Sequence, residues 1–185
     1  MAVCEILRMG HPVLGRVARE VSNIELQSLW LSDLIGDMDD TLEAAGGIGL
    51  AAPQIGVSVR LAIIRFAGGP SRYGMLPNIP LTVYINPEIR ILNGAMQGFW
   101  EGCLSIPGLR GYVRRPKEIA IDYLDTNGEA QSIGYEGFLA TVFQHEFDHL
   151  DGILYPQRMD DLKKLVFEQE YQKFLADQPD YVKSG

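Results

Sequence analysis

The chain has 185 residues, a formal net charge of −8 and an isoelectric point near 4.8. Its 46% hydrophobic and 22% charged residues are ordinary globular values, which exclude disorder, collagen and coiled coil as whole-chain descriptions and suit one domain over 1–185. The acidic balance argues against direct DNA or RNA binding, Cys4 and Cys103 are too few for a disulfide framework, and no apolar run reaches the ~20 residues of a membrane helix.

Met1 to Arg19 interleaves apolar residues with Glu5, Arg8, His11, Arg16 and Arg19, unlike a secretory leader. Ser22-Asn23-Ile24-Glu25 then matches a capping box. Apolar residues recur at Leu31, Leu34, Ile35, Met38, Leu42 and Ala45, and Gly46-Gly47 end the run, so one helix is expected over 24–45. Val59 to Phe66 and Leu81 to Ile85 have the β-branched content of strands, with Ala67 to Pro80 as a loop between them. Asn93-Gly94 and Asn127-Gly128 each lie between apolar runs and predict hairpins over 87–100 and 117–134. Gly111 to Arg115 reads as a further short strand.

Phe138 to Leu150 is apolar nearly all round, the mark of a buried helix, and Gly152 is its expected cap. A last helix is expected from Asp160 or Asp161, burying Leu162, Leu165, Val166, Phe167, Tyr171 and Phe174. Cys4 is expected in the core of a terminal strand. One N-terminal helix, a run of hairpins and then helices predict an α+β fold with mostly antiparallel sheet.

His145-Glu146-Phe147-Asp148-His149 fits H-E-x-x-H. Histidines at i and i+4 stand one turn apart on a helix face, so two imidazoles can meet one metal ion. Glu146 projects beside them as a general base. A catalytic site of this kind needs a third protein ligand. The extended zinc-protease motif would put a histidine at position 155, where Tyr155 stands. Glu168 and Glu170 fall in an amphipathic segment, and His11 precedes a proline and reads as a turn residue. Cys103, in Glu101-Gly102-Cys103-Leu104-Ser105, is the remaining candidate. Sequence chemistry leaves it as a thiolate ligand, a nucleophile or a small buried thiol. The glycine-rich run Gly46 to Gly56 lacks the Gly-Lys-Ser/Thr ending of a phosphate loop and follows a helix, so nucleotide binding is rejected. Gln54 in that run is either an oxyanion donor or a turn residue.

Three segments together resemble the signature motifs of the peptide deformylases: Gly47-Ile48-Gly49-Leu50-Ala51-Ala52-Pro53-Gln54, Glu101-Gly102-Cys103-Leu104-Ser105 and Gln144-His145-Glu146-Phe147-Asp148-His149-Leu150-Asp151-Gly152. The resemblance implies antiparallel sheets packed around a central metal-binding helix, with N- and C-terminal helices. It implies a metallohydrolase that removes the N-formyl group from the formyl-methionine of nascent polypeptides and releases formate. Cys103, His145 and His149 would hold one divalent ion, Fe2+ in the native enzyme with Zn2+, Ni2+ or Co2+ as substitutes. Glu146 would move the proton, and Gln54 with the Leu104 backbone N–H would face the oxyanion. Substrate would meet Ile48, Gly49, Gly102, Arg110, Tyr112, Phe138 and Val142, and Glu101 with Arg115 would form an ion pair beside the cysteine strand. The expected partners are N-formyl-methionyl peptides and, weakly, the ribosome through the tail from Asp161. In that tail Lys163, Lys164 and Lys173 are mixed with acids like a solvated face. The expected location is the bacterial cytoplasm (an organelle if a targeting segment was removed), as monomer or homodimer.

Overall fold

The computed structural model describes residues 2–71 and 74–176. The N-terminal segment carries no strand and only one 3-10 turn, Pro12–Gly15. Cys4 is therefore not a core strand residue: it is half-buried, and its backbone N–H donates to Thr41 Oγ1 at 2.9 Å.

The single helix expected over 24–45 is two. Ser22 caps α1 (Asn23–Leu26) with the capping box read from the sequence. Ser28 then caps α2 (Leu29–Ala45), accepting from the Leu31 N–H and donating to the Glu25 carbonyl. A serine side chain that bonds both flanking turns competes with helix continuation, which is why the chain breaks there. Gly46, at φ 68°, ends α2 in the left-handed conformation.

The strands are β1 (Gly49–Ala51), β2 (Leu61–Phe66), β3 (Gly69–Ser71), β4 (Gly74–Leu76), β5 (Ile79–Cys103), β6 (Ile106–Leu124), β7 (Ala130–Glu136) and β8 (Leu165–Phe167). All pair antiparallel: the main sheet runs β1-β2-β5-β6-β7, β8 adds to β6, and β3 with β4 forms a two-stranded ribbon where a plain loop was expected. The hairpin expected at Asn93-Gly94 does not form. β5 passes straight through, and Asn93 accepts the Ala95 N–H within an irregularity of the ladder. Pairing with β6 from Ile85 to Cys103 overrides the local turn preference. The turn that joins the two strands is instead Leu104-Ser105, inside the cysteine motif, and Gly111 to Arg115 belongs to β6. The Asn127-Gly128 hairpin forms as read. Asp125 Oδ1 accepts from the Asn127 and Glu129 N–H groups, and Gly128 takes φ 79°.

The buried helix is α3 (Gly137–Asp148), extended by a 3-10 turn His149–Asp151 and capped by Gly152. β2 is buried on both faces. Ala62 and Ile64 pack with Phe143 and Phe147 of α3, whereas Leu61 and Ile63 pack with Leu34, Met38 and Leu42 of α2. The sheet thus holds α3 on one side and α2 on the other, and strand alternation assigns each residue its side.

The expected last helix from Asp161 is a 3-10 turn, then β8, then α4 (Glu168–Glu170) and a π-helical turn Tyr171–Leu175. Leu162, Phe167 and Phe174 are exposed and Leu165 and Val166 half-buried; of that expected apolar set only Tyr171 is buried. Pairing of β8 with Leu109–Gly111 of β6 takes the backbone that a continuous helix would have used.

Candidate active site

Cys103 ends β5 at the hairpin tip, and α3 with its 3-10 extension presents His145 and His149 to that tip. The three possible ligand atoms lie within 4.8 Å of one another, and Cys103 Sγ is 3.3 Å from His149 Nε2. Donors bound tetrahedrally to one ion at ~2.0–2.3 Å lie roughly 3.3–3.6 Å apart, so the constellation fits a divalent metal of the zinc or iron type. Burial opposes a proton on His145, yet the Cys103 sulfur and Glu101 carboxylate outweigh it and hold its pKa well above the ordinary value. Burial, with His145 and Arg115 nearby, pushes His149 well below.

Behind the donors runs a buried chain of charges. Glu101 Oε2 lies 2.7 Å from His145 Nδ1, and the Arg115 guanidinium grips both Glu101 oxygens at 2.6 and 3.1 Å. Arg115 also donates to Asp148 at 2.7 Å, and Arg158 closes the far end on Asp148 at 2.6 Å. Burial would raise the Glu101 pKa, but its bonds to His145 and Arg115 bring it below the ordinary value. Holding Nδ1 leaves His145 Nε2 to face the donor cluster, the carboxylate–histidine arrangement that orients metal ligands.

Glu146 is buried, and its Oε2 has no hydrogen-bond partner among the described residues. Burial pushes its pKa up to about 7, against the nearby charges of His145 and Arg115. Gly49 lets the backbone of β1 reach it: a Cβ there would fall 2.7 Å from Glu146 Cδ and Cγ. Gln54 is 1% exposed; its Oε1 accepts the Ala51 N–H at 2.9 Å, which turns Nε2 toward Ser105 Oγ at 3.1 Å and Cys103 Sγ at 3.7 Å. The N-terminal segment ties both loops in place, through Leu7 N–H to the Gln54 carbonyl and Met9 N–H to the Ser105 carbonyl, each at 2.8 Å.

A cleft of about 400 Å³ opens over these groups. Ile48, Gly49, Gln54, Gly102, Cys103, Leu104, Arg110, Phe138, Val142, His145 and Glu146, all named from the resemblance, line it. Tyr112 does not. It stands edge-on to Trp100 at 5.8 Å, over Gly98, with Lys164 Nζ 5.4 Å from its ring. His149 sits behind the wall. His11 caps the first 3-10 turn through Nδ1, and Glu168 pairs with Arg110 at the cleft rim, so neither serves as third ligand. Trp100, Leu109, Thr141 and Glu168 line the cleft without having been anticipated. Trp100 was within reach, since alternation puts it on the strand face of Gly102. Glu168 was not, because its place depends on β8.

Residues 3–165 match the family model described as polypeptide deformylase. A peptide deformylase of Leptospira biflexa is 42% identical over 92% of this chain and 95% of its own length. A second, peptide deformylase 2 of Ralstonia nicotianae, is 48% identical over 89% and 91%. Among solved structures, a class I type b peptide deformylase from Acinetobacter baumannii bound to Met-Ala-Ser is similar, with TM-score 0.79, 36% identity and coverage of 85% of this chain and 99% of that one.

Proposed function

The chain belongs to the peptide deformylase family, hydrolases that remove the N-formyl group from nascent polypeptides, and from that membership we propose how its residues divide the work. The observation that carries the proposal is the convergence of Cys103, His145 and His149 beside a buried, unpartnered Glu146 oxygen. Cys103, His145 and His149 would hold the ion, ferrous iron in the native protein. When bound, it supplies Lewis acidity to the formyl carbonyl and acidifies the attacking water.

Glu146 accepts the proton of that water at Oε2 and passes it to the leaving amine nitrogen, so the formyl C–N bond breaks and formate departs. Gln54 Nε2 and the Leu104 N–H donate to the oxygen that gains charge, a contribution worth ~2.7–4 kcal/mol per donor in comparable sites. The methionine side chain lies against Ile48, Phe138 and Val142. Among the described residues β1 is an edge strand paired only with β2, so its outer edge at Gly49 can take the peptide as an added strand. The peptide beyond the methionine leaves past Gly102 and Arg110. The Met-Ala-Ser bound to the Acinetobacter relative supports a peptide of this kind as ligand.

We also propose a bacterial cytoplasmic setting, with weak ribosome contact through the tail from Asp161, part of which lies outside the described residues. The bacterial relatives support it. Among the described residues no helix is long and apolar enough to cross a membrane. The test is a cobalt-loaded sample assayed on formyl-Met peptides and on blocked, unformylated ones. Its spectrum should show one thiolate, lost in Cys103→Ser, and only formylated peptides should turn over. Two thiolates, or cleavage of unformylated peptides, would overturn the assignment. Metal analysis of anaerobically purified protein tests the choice of iron.

A further inference from the structure

We propose that Glu168 is a specificity-determining residue: its carboxylate neutralises Arg110 at the outer end of the cleft and so sets which charges are accepted on the formyl peptide beyond its methionine. The proposal rests on the cleft assignment above, with the formyl group beside Glu146 and the peptide leaving past Arg110.

Arg110 lies flat over Gly102, where a Cβ would come within 2.8 Å of its guanidinium carbon. Its Nε donates to Glu168 Oε2, while Gln172 Nε2 donates to Glu168 Oε1 at 2.8 Å. The backbone fixes this meeting. β8 pairs with Leu109–Gly111, Glu168 is the next residue after β8, and buried Tyr171 packs on Trp100 at a ring distance of 5.1 Å. Both charged side chains remain open to the cleft, at 23% and 32% exposure.

The other charged groups of the cleft wall are committed elsewhere. Glu101 is held by Arg115 and His145, and His145 and Glu146 stand at the reacting end. Arg110 and Glu168 are therefore the charges a departing peptide meets among the described residues of the wall. Together they carry no net charge, so acidic and basic side chains are treated nearly alike. Without Glu168 the same surface is a cation. Glu168 also lies beyond the 3–165 segment that matches the family model, so the family pattern does not supply it.

The experiment uses the full metal-loaded chain and formyl-Met peptides carrying Asp, Ser or Lys at the two positions after methionine. Glu168→Gln should raise the Asp-to-Lys ratio of kcat/KM by roughly three- to tenfold at low salt, the scale of a partly exposed charge pair. The gain should shrink in high salt and vanish when Arg110→Met is added. A general loss of packing would lower all peptides together and leave the ratio and its salt dependence unmoved, overturning the proposal. If Arg110→Met alone shifts the ratio and Glu168→Gln does not, the Glu168 proposal fails while the cleft assignment stands. If neither variant shifts it although the wild type turns over every peptide, the assignment of the outer cleft fails and this proposal with it.

Discussion

The inner and outer ends of the cleft are built in opposite ways. At the inner end each charge from His145 to Asp148 is buried and fixed by another: His145 by Glu101, Glu101 by Arg115, Arg115 by Asp148, and Asp148 by the exposed Arg158 at the chain's far end. At the outer end the pair Arg110 with Glu168 is partly exposed, on a surface open to water. Buried pairs are costly to break, because the survivor is left charged without solvent, whereas exposed pairs change little in stability. The inner end is thus built to hold geometry, and the outer end is where the proposed adjustment of selectivity would cost little stability.

Removing the proton carrier should have the largest effect at the inner end. Glu146→Gln keeps size and leaves the ligands untouched but cannot accept a proton. We expect kcat to fall about 10²–10⁴-fold with metal content unchanged by elemental analysis. Near-wild-type kcat with the ion bound would take Glu146 out of its role.

The next test addresses the support rather than the site. Arg115→Met leaves Glu101 buried without its guanidinium and Asp148 with Arg158 alone, which should cost about 3–5 kcal/mol of stability in denaturant titration. Misorienting His145 should also weaken metal affinity about 10–100-fold. A stable variant with undiminished affinity would show that the charge chain does not orient the ligand.

Val142, 8% exposed, is part of the cleft wall and of the proposed methionine slot. Val142→Trp would fill the space proposed for methionine. KM should rise far more for formyl-Met than for formyl-Ala peptides, changing the ratio by at least about tenfold. An equal loss for both, with a lower Tm, would mean that Val142 acts as core alone.

The smallest expected effect is on pH. Glu146 must be ionised to accept a proton, so kcat/KM should climb with rising pH through its pKa. Burial sets that pKa at about 7 in the bare protein, and a nearby divalent cation favours the ionised form. The acidic limb of the pH–rate profile should therefore have its midpoint below about 7 and be absent from any residual activity of Glu146→Gln. A midpoint well above 7 would contradict this.

The two ends also differ in how far the sequence revealed them. His145, Glu146 and His149 sit within one helical turn, so the spacing that makes the chemistry possible is visible in the chain itself. Gln54 and Cys103 fall in short runs whose residue types are informative, and the choice of Cys103 as third ligand came from the family resemblance. The outer end has no such signature. Glu168 reaches Arg110 only because a three-residue strand forms where apolar spacing suggested a helix. Tyr112 was expected at the cleft from the family resemblance, yet it packs beside Trp100 and over Gly98. The false hairpin at Asn93-Gly94 has the same origin: local turn preference yielded to a ladder formed with residues far along the chain.

The position of Cys103 at a hairpin tip bears on how the chain reaches its folded state. The β5–β6 hairpin closes through a two-residue turn and α3 forms from contiguous residues, so each half of the metal site can assemble locally and early. A metal ion joining Cys103 to His145 and His149 then acts as a clasp across the long segment between them. Like any crosslink present only in the compact state, it favours that state by mass action. Stripping the ion should therefore lower Tm and loosen hydrogen-exchange protection first where the hairpin tip meets α3, leaving the α2 side of the sheet as the last region to open.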